Sequence, residues 1–95
     1  MSRAYWIARV TVTDPEAYAG YQALAPAAFE RYGARFLARG GETDCCEGPL
    51  WERHVVIEFP SLEQARACYA SPEYSAARAC RDGACRAEVF ITEGL

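Results

Sequence analysis

Four segments of the chain alternate their side chains between two faces at a spacing of two residues, which is the pattern of β-strands. They are residues 3–12, 34–39, 53–59 and 86–92. Between the first two segments, aromatic and apolar residues recur every three or four positions, which predicts a helix. Asp14 and Pro15 are typical of its start, and Gly33 is typical of its end. The pattern therefore begins as strand, helix, strand.

The second half repeats this order. After the third strand, Pro60 breaks the alternation, and Ser61 with Gln64 forms a capping box that starts a helix. Ser71 and Pro72 give a second start signal for a short helical continuation before the last strand. The order strand, helix, strand, strand, helix, strand predicts an α+β protein with the ferredoxin-like βαββαβ fold. Its four-stranded antiparallel sheet would carry the helices on one face, and residues 1–95 would form a single domain.

The alternation also assigns each strand residue to a face of the predicted sheet. The face under the helices is wholly apolar: Trp6, Val10, Phe36, Val55, Ile57, Phe59, Val89 and Ile91. The second face is mixed: Tyr5, Ile7, Arg9, Leu37, Arg39, His54, Val56, Glu58, Glu88 and Phe90. Its large apolar residues are costly to leave in water, so we expect a homodimer in which two such faces stack. The charges would then pair, Glu58 or Glu88 with Arg9 or Arg39.

Composition excludes several classes of function. The net charge of -3 and a pI near 5.1 argue against nucleic-acid binding, which needs a basic face. All ten basic residues are Arg, so no Lys can form a Schiff base. No apolar run reaches the roughly 20 residues of a membrane span, and the amino terminus lacks a signal peptide. We therefore expect a cytoplasmic protein without a membrane partner.

The five cysteines match no metal-site spacing. Cys45 and Cys46 are adjacent, and Cys80 and Cys85 are separated by four residues, so neither pair has a zinc-binding pattern. The sequence therefore predicts neither a metal nor a cofactor.

One group of candidate site residues lies on the second face. Arg9 or Arg39 could hold an organic carboxylate while Glu58 or His54, the candidate catalytic residues, transfers a proton. The same four side chains could instead form an ion-pair network in a dimer interface, and the sequence leaves both interpretations open.

The other candidate group is aromatic. Tyr18, Tyr21, Tyr69 and Tyr74 could line a pocket between helices and sheet, with hydroxyl groups that orient a planar ligand. The alternative is that they are core residues, since aromatic side chains at helical spacing are usually buried.

Several pieces of the chain together resemble a known family. They are AYWIARVTVTDPEAY near the start, RYGARFLARGG, VVIEFPSLEQARACYASPEY, and EGL at the end. In this order they resemble the domain-of-unknown-function family thirteen-thirty of the dimeric α+β barrel superfamily. The resemblance implies a small cytosolic homodimer with sheets packed back to back and no assigned catalytic role. Superfamily relatives include cofactor-free monooxygenases, muconolactone isomerases and haem-degrading enzymes.

These observations favour a homodimer that binds a small aromatic or carboxylate metabolite, either as a binding protein or as a cofactor-free acid–base enzyme of the isomerase or monooxygenase kind. A structural or regulatory dimer without a ligand pocket is the alternative. A haem-binding protein is a third hypothesis, in which His54 would be the only available imidazole.

Overall fold

The computed structural model describes residues 2–95 and contains the predicted elements in the predicted order. They are β1 (Ala4–Val12), α1 (Pro15–Arg31), β2 (Arg35–Arg39), β3 (Arg53–Phe59), α2 (Leu62–Ala70), α3 (Pro72–Cys80) and β4 (Cys85–Glu93). The helical continuation that the sequence predicts is a separate helix, α3. None of the helices in residues 2–95 has the length and apolar character needed to cross a bilayer.

All four strands pair antiparallel in one sheet of order β2-β3-β1-β4, so β1 and β3 are central. Trp6 on β1 lies opposite Ile57 on β3 and Ile91 on β4, which places these apolar side chains on one face. The Cα atoms span 37 × 33 × 17 Å, the thickness of one helix layer on one sheet. The α+β class and the ferredoxin-like fold are confirmed, and within residues 2–95 no helix covers the second sheet face.

The core forms around Trp6, whose side chain is 1% exposed. Its ring makes edge contacts with Phe29 of α1 and Tyr74 of α3, at centroid distances of 5.0 and 4.9 Å. It also stacks on Phe59 of β3 at 5.9 Å. These perpendicular and offset arrangements suit the ring quadrupoles. Trp6 on β1 therefore joins α1 and α3 to the sheet.

The predicted caps form as expected. The side chain of Asp14 accepts a hydrogen bond from the Ala17 backbone N–H at 3.2 Å, and that of Ser61 accepts one from Gln64 at 3.1 Å. Ser71 ends α2 and caps α3, where its hydroxyl accepts from Tyr74 N–H at 3.1 Å. The caps fix where each helix begins and hence which side chains face the sheet.

One face assignment from the sequence is wrong. On β2, Phe36 pairs with Ile57 but Ala38 pairs with Val56, so β2 contains one residue more than β3 over this stretch. This β-bulge reverses the two faces beyond Leu37. Arg39 therefore lies opposite Val55, on the helix-covered face, and not with Arg9 on the second face. Simple alternation could not predict this, because a bulge leaves no mark in a five-residue edge strand.

Candidate functional site

A narrow cavity lies between α1 and the sheet, and we call it the α1–sheet cavity. Its lining residues are Trp6, Ala8, Val10, Tyr18, Tyr21, Gln22, Ala25, Pro26, Phe29, Phe36, Arg39, Arg53, Val55 and Ile57. The cavity volume is about 60 Å³. Most of the wall is apolar or aromatic, as in sites for small organic ligands. The cavity therefore suits a small, largely apolar molecule.

Two arginines give this cavity a cationic edge. The guanidinium of Arg39 lies 4.1 Å from the ring centre of Phe36, a cation–π contact that the bulge in β2 makes possible. Arg53 at the start of β3 lies against Gly40, where a Cβ atom would be only 2.5 Å from the Arg53 Nη1 atom. The ion pairs within residues 2–95 involve Arg3, Arg9, Arg31 and Arg35. Neither cavity arginine is thus neutralised by a carboxylate of the described chain.

Two tyrosines of α1 belong to the cavity wall. Tyr18 is 5% exposed, and burial raises its pKa, while the nearby positive charge of Arg53 acts in the opposite direction. Burial also raises the pKa of Tyr21, and its hydrogen-bonded neighbour Tyr74 raises it further. Both hydroxyl groups therefore keep their protons at neutral pH and can donate hydrogen bonds.

The helix itself supplies a further polar group. Pro26 has no N–H, so the helical hydrogen bond to the carbonyl of Gln22 is missing. Both residues line the cavity. The wall formed by α1 therefore includes a residue whose backbone acceptor has lost its usual partner.

The other two predicted tyrosines lie elsewhere. Tyr74 is 1% exposed and does not line the cavity; its hydroxyl group is 2.9 Å from that of Tyr21. Tyr69 is half-buried at a separate cleft between α3 and β4, where Arg78 donates a hydrogen bond to its hydroxyl group. The predicted set thus divides into two cavity residues, one residue behind the cavity and one outside it.

The second face holds the predicted catalytic pair. Glu58 accepts from Arg3 at 2.9 Å and lies 3.5 Å from Arg35, and its side chain is 13% exposed. These are not the partners that the sequence suggested, because Arg3 and Arg35 lie beside Glu58 at the same end of the sheet. The suggested pairing of Arg9 with Glu88 does form, at 3.3 Å.

His54 and Glu58 do not meet. Four residues along one strand separate their Cα atoms by roughly 13 Å, and both side chains lie on the sheet face opposite the cavity. The Nδ1 atom of His54 is buried without a hydrogen-bond partner in residues 2–95. A haem held by His54 would also lie on this second face, since no histidine lines the cavity.

Sequence reasoning missed Arg53. It lies two residues before Val55 and so shares the helix-covered face, which is otherwise apolar. A charge at the end of an apolar stripe was the available signal. Arg39 was singled out for carboxylate binding but assigned to the wrong face.

Comparison with known proteins gives the family. Residues 3–95 match the domain of unknown function DUF1330. The chain belongs to this family. No curated protein matches it in sequence. The family assignment agrees with the resemblance seen in the sequence and brings no reaction with it.

Solved structures share the fold of this DUF1330 chain. A protein of unknown function from Rhodopseudomonas palustris is 21% identical, with a TM-score of 0.81 over 99% of this chain and 83% of that one. SnoaB, a cofactor-independent oxygenase from Streptomyces nogalater, is 14% identical, with a TM-score of 0.66 over 100% and 95%. A dimeric protein of unknown function with a ferredoxin-like fold from Bacteroides fragilis is also 14% identical, with a TM-score of 0.66 over 97% and 96%. At these identities the likeness concerns the fold alone.

Proposed function

We propose that this protein is a cytoplasmic homodimer that binds a small aromatic carboxylate in the α1–sheet cavity. The observation that carries the proposal is the pair Arg39 and Arg53, two guanidinium groups without a carboxylate partner in residues 2–95, at the edge of an aromatic cavity. An arginine can bind a carboxylate through two parallel hydrogen bonds. A flat apolar ring would fill the narrow interior while the acid group meets the arginines.

The homodimer is supported by the second sheet face. Phe90 and Leu37 are about half exposed there, at 51% and 48%, and Ile7 and Val56 are only partly covered. No helix packs on this face, and the buried Nδ1 atom of His54 has no partner within residues 2–95. A second copy is the occupant we propose, because the face holds both signs of charge beside its apolar residues and can therefore complement itself.

An acid–base enzyme is the second candidate function. It is favoured by the fold shared with SnoaB, a cofactor-independent oxygenase, which is an argument from fold alone. If a reaction takes place in the cavity, its proton donors are Tyr18 and Tyr21, because Glu58 and His54 lie across the sheet. A dimer without a ligand site is the remaining alternative, and the absence of benzoate binding would support it.

The test is calorimetric titration with benzoate and with benzyl alcohol, its neutral counterpart. Hydrogen bonds to charged groups contribute about 1.5–3 kcal/mol, so Arg53→Met should weaken benzoate binding about 10- to 100-fold. Benzyl alcohol binding should change little. Arg66→Met is the matched control, because Arg66 is exposed on α2 and does not line the cavity. Equal benzoate affinity in wild type and Arg53→Met would reject the proposal.

A further inference from the structure

Three side chains connect the α1–sheet cavity to the end of α3. The Tyr21 and Tyr74 hydroxyl oxygens are 2.9 Å apart, and Nη2 of Arg81 is 3.4 Å from the Tyr74 oxygen. The Arg81 guanidinium also lies over the ring of Tyr21, 5.0 Å from its centre. Only Tyr21 of the three lines the cavity.

The direction of these hydrogen bonds follows from what each group can do. A guanidinium group donates and never accepts, so the Tyr74 oxygen accepts from Arg81. Tyr74 is 1% exposed, and its own hydroxyl hydrogen needs an acceptor away from water. Within residues 2–95, the acceptor in reach is the Tyr21 oxygen. The reverse direction would leave the Tyr74 hydrogen buried without an acceptor.

Tyr21 is then the last of the three residues linked by these hydrogen bonds. Its oxygen accepts from Tyr74, and the hydrogen bonds within residues 2–95 include no acceptor for its own hydrogen. Burial raises the Tyr21 pKa, so that hydrogen stays in place at neutral pH. The α1–sheet cavity is the free space beside this side chain.

We propose that Arg81, Tyr74 and Tyr21 form a directed hydrogen-bond chain whose last hydrogen, on Tyr21, is donated to an oxygen atom of the bound ligand. This inference rests on the proposed function of the cavity and narrows the ligand class. The ligand would carry a ketone or phenolate oxygen on its ring in addition to the acid group that meets Arg39 and Arg53. Arg81 acts here as a positioning residue, because it reaches the ligand only through the two tyrosines.

Arg81 also strengthens the donor at the far end. Each hydrogen bond in a chain polarises the next, and a cation at the donor end increases this effect. An oxyanion that develops on the ligand would be stabilised by the Tyr21 hydroxyl group in this largely apolar cavity. The chain thus gives the cavity a group able to bind a carbonyl oxygen and to stabilise negative charge on it.

Two ligands of almost equal shape test the chain. 4-Acetylbenzoate and 4-isopropenylbenzoate both carry the acid group and a trigonal carbon on the ring, but only the acetyl compound has an acceptor oxygen. We expect wild-type protein to bind the acetyl compound on the order of tenfold more tightly, and Tyr21→Phe to remove this preference. Tyr32→Phe is the matched control, since Tyr32 lies outside the cavity.

The positioning role of Arg81 has its own variants. In Arg81→Met, water from the cleft that Arg81 lines can reach Tyr74 and accept its hydrogen. Tyr74 then becomes free to accept from Tyr21, so the Tyr21 hydrogen turns away and the preference for the acetyl compound should fall. Arg81→Lys should restore it, because an ammonium group also only donates. Arg78→Met, three residues earlier on α3, should keep the wild-type preference. The infrared stretch of the acetyl carbonyl gives a second readout, lower in frequency when Tyr21 donates to it.

The outcomes separate the two proposals. Equal binding of the two benzoates by wild type, or a preference that survives Tyr21→Phe, would overturn the hydrogen-bond chain and leave the proposed carboxylate site intact. Failure of both benzoates to bind would refute the proposed function and the chain with it. A preference that survives in Arg81→Met would refute the positioning role of Arg81.

Discussion

Gly40 offers a sharp test of the cavity's cationic edge, because its small size is what lets Arg53 lie there. Gly40 follows β2 with φ of +70°, and a Cβ atom would be 2.5 Å from Arg53 Nη1 and 2.9 Å from its Cζ atom. Gly40→Ala therefore has two effects, backbone strain and displacement of the guanidinium group. The backbone N–H of Gly40 also donates a hydrogen bond to the carbonyl of His54 at 2.9 Å, which holds the turn in place.

The two effects differ in size and in readout. The left-handed backbone costs a residue with a Cβ roughly 1–2 kcal/mol, which lowers the Tm by about 4–8 °C per kcal/mol in a domain of this size. The flexible Arg53 side chain can move aside, so the clash adds little to unfolding. Its displacement removes one charged contact to the ligand, and benzoate affinity should fall about 10-fold or more.

Two other glycines separate these effects. Gly48 has φ of +92° and no atom within 4 Å of an added Cβ, so Gly48→Ala should lower the Tm without changing benzoate affinity. Gly41 lies next to Gly40 with open space around it and no left-handed backbone, so Gly41→Ala should change neither quantity. Thermal unfolding and calorimetric titration on the three variants give both readouts. Full benzoate affinity in Gly40→Ala would refute the placement of Arg53 as a ligand-binding group.

Three further predictions concern the second face and the core. Phe90→Glu should place an extra charge in the proposed interface and shift sedimentation from dimer to monomer, whereas Arg66→Glu, on α2, should leave sedimentation unchanged. A Phe90→Glu variant that stays dimeric would exclude the second face as the interface. Glu58→Gln should weaken the dimer and leave benzoate affinity within about twofold of the wild-type value. A loss of benzoate binding with an intact dimer would instead show that Glu58 contributes to the ligand site. Burial, followed by the charge of Glu73, raises the pKa of Cys68 from 9.0 to about 12. The Cys68 thiol therefore loses its proton at a lower pH in the unfolded state than in the folded state, so the free energy of unfolding should fall as the pH rises from about 9 to 12. Urea unfolding of wild type and Cys68→Ala checks this, since the variant should lose stability less steeply over that range.

The fold was predictable because its signals are local. Caps such as Asp14 and Ser61 act within three residues, and the alternation that places Trp6 and Ile57 on one face is a property of each strand alone. The ferredoxin-like order followed from the sequence of these elements. The second start signal at Ser71 and Pro72 is local in the same way, and it corresponds to the boundary between α2 and α3.

The site was only partly predictable because it depends on pairing between strands. Tyr18 and Tyr21 line the cavity, since their helical spacing points them toward the sheet. Tyr69 and Tyr74 share the same spacing but belong to α2 and α3, and only packing decides that they lie outside or behind the cavity. Glu58 was expected to pair with Arg9 or Arg39, and its actual partners became visible only with the register of the sheet.

The bulge at Leu37 connects these results. Strict alternation would have placed Arg39 on the second face. In the proposed dimer each sheet would then contribute Arg9 and Arg39 to the interface, with Glu58 and Glu88 as their carboxylate partners. Glu58 is already held by Arg3 and Arg35, so a further cation there would lack a carboxylate. By reversing the faces after Phe36, the bulge moves that cation to the cavity edge beside Arg53, where a ligand carboxylate can neutralise both. One inserted residue in an edge strand thus keeps a further cation out of the proposed interface and adds a second arginine to the cavity, where the proposed ligand carboxylate would bind.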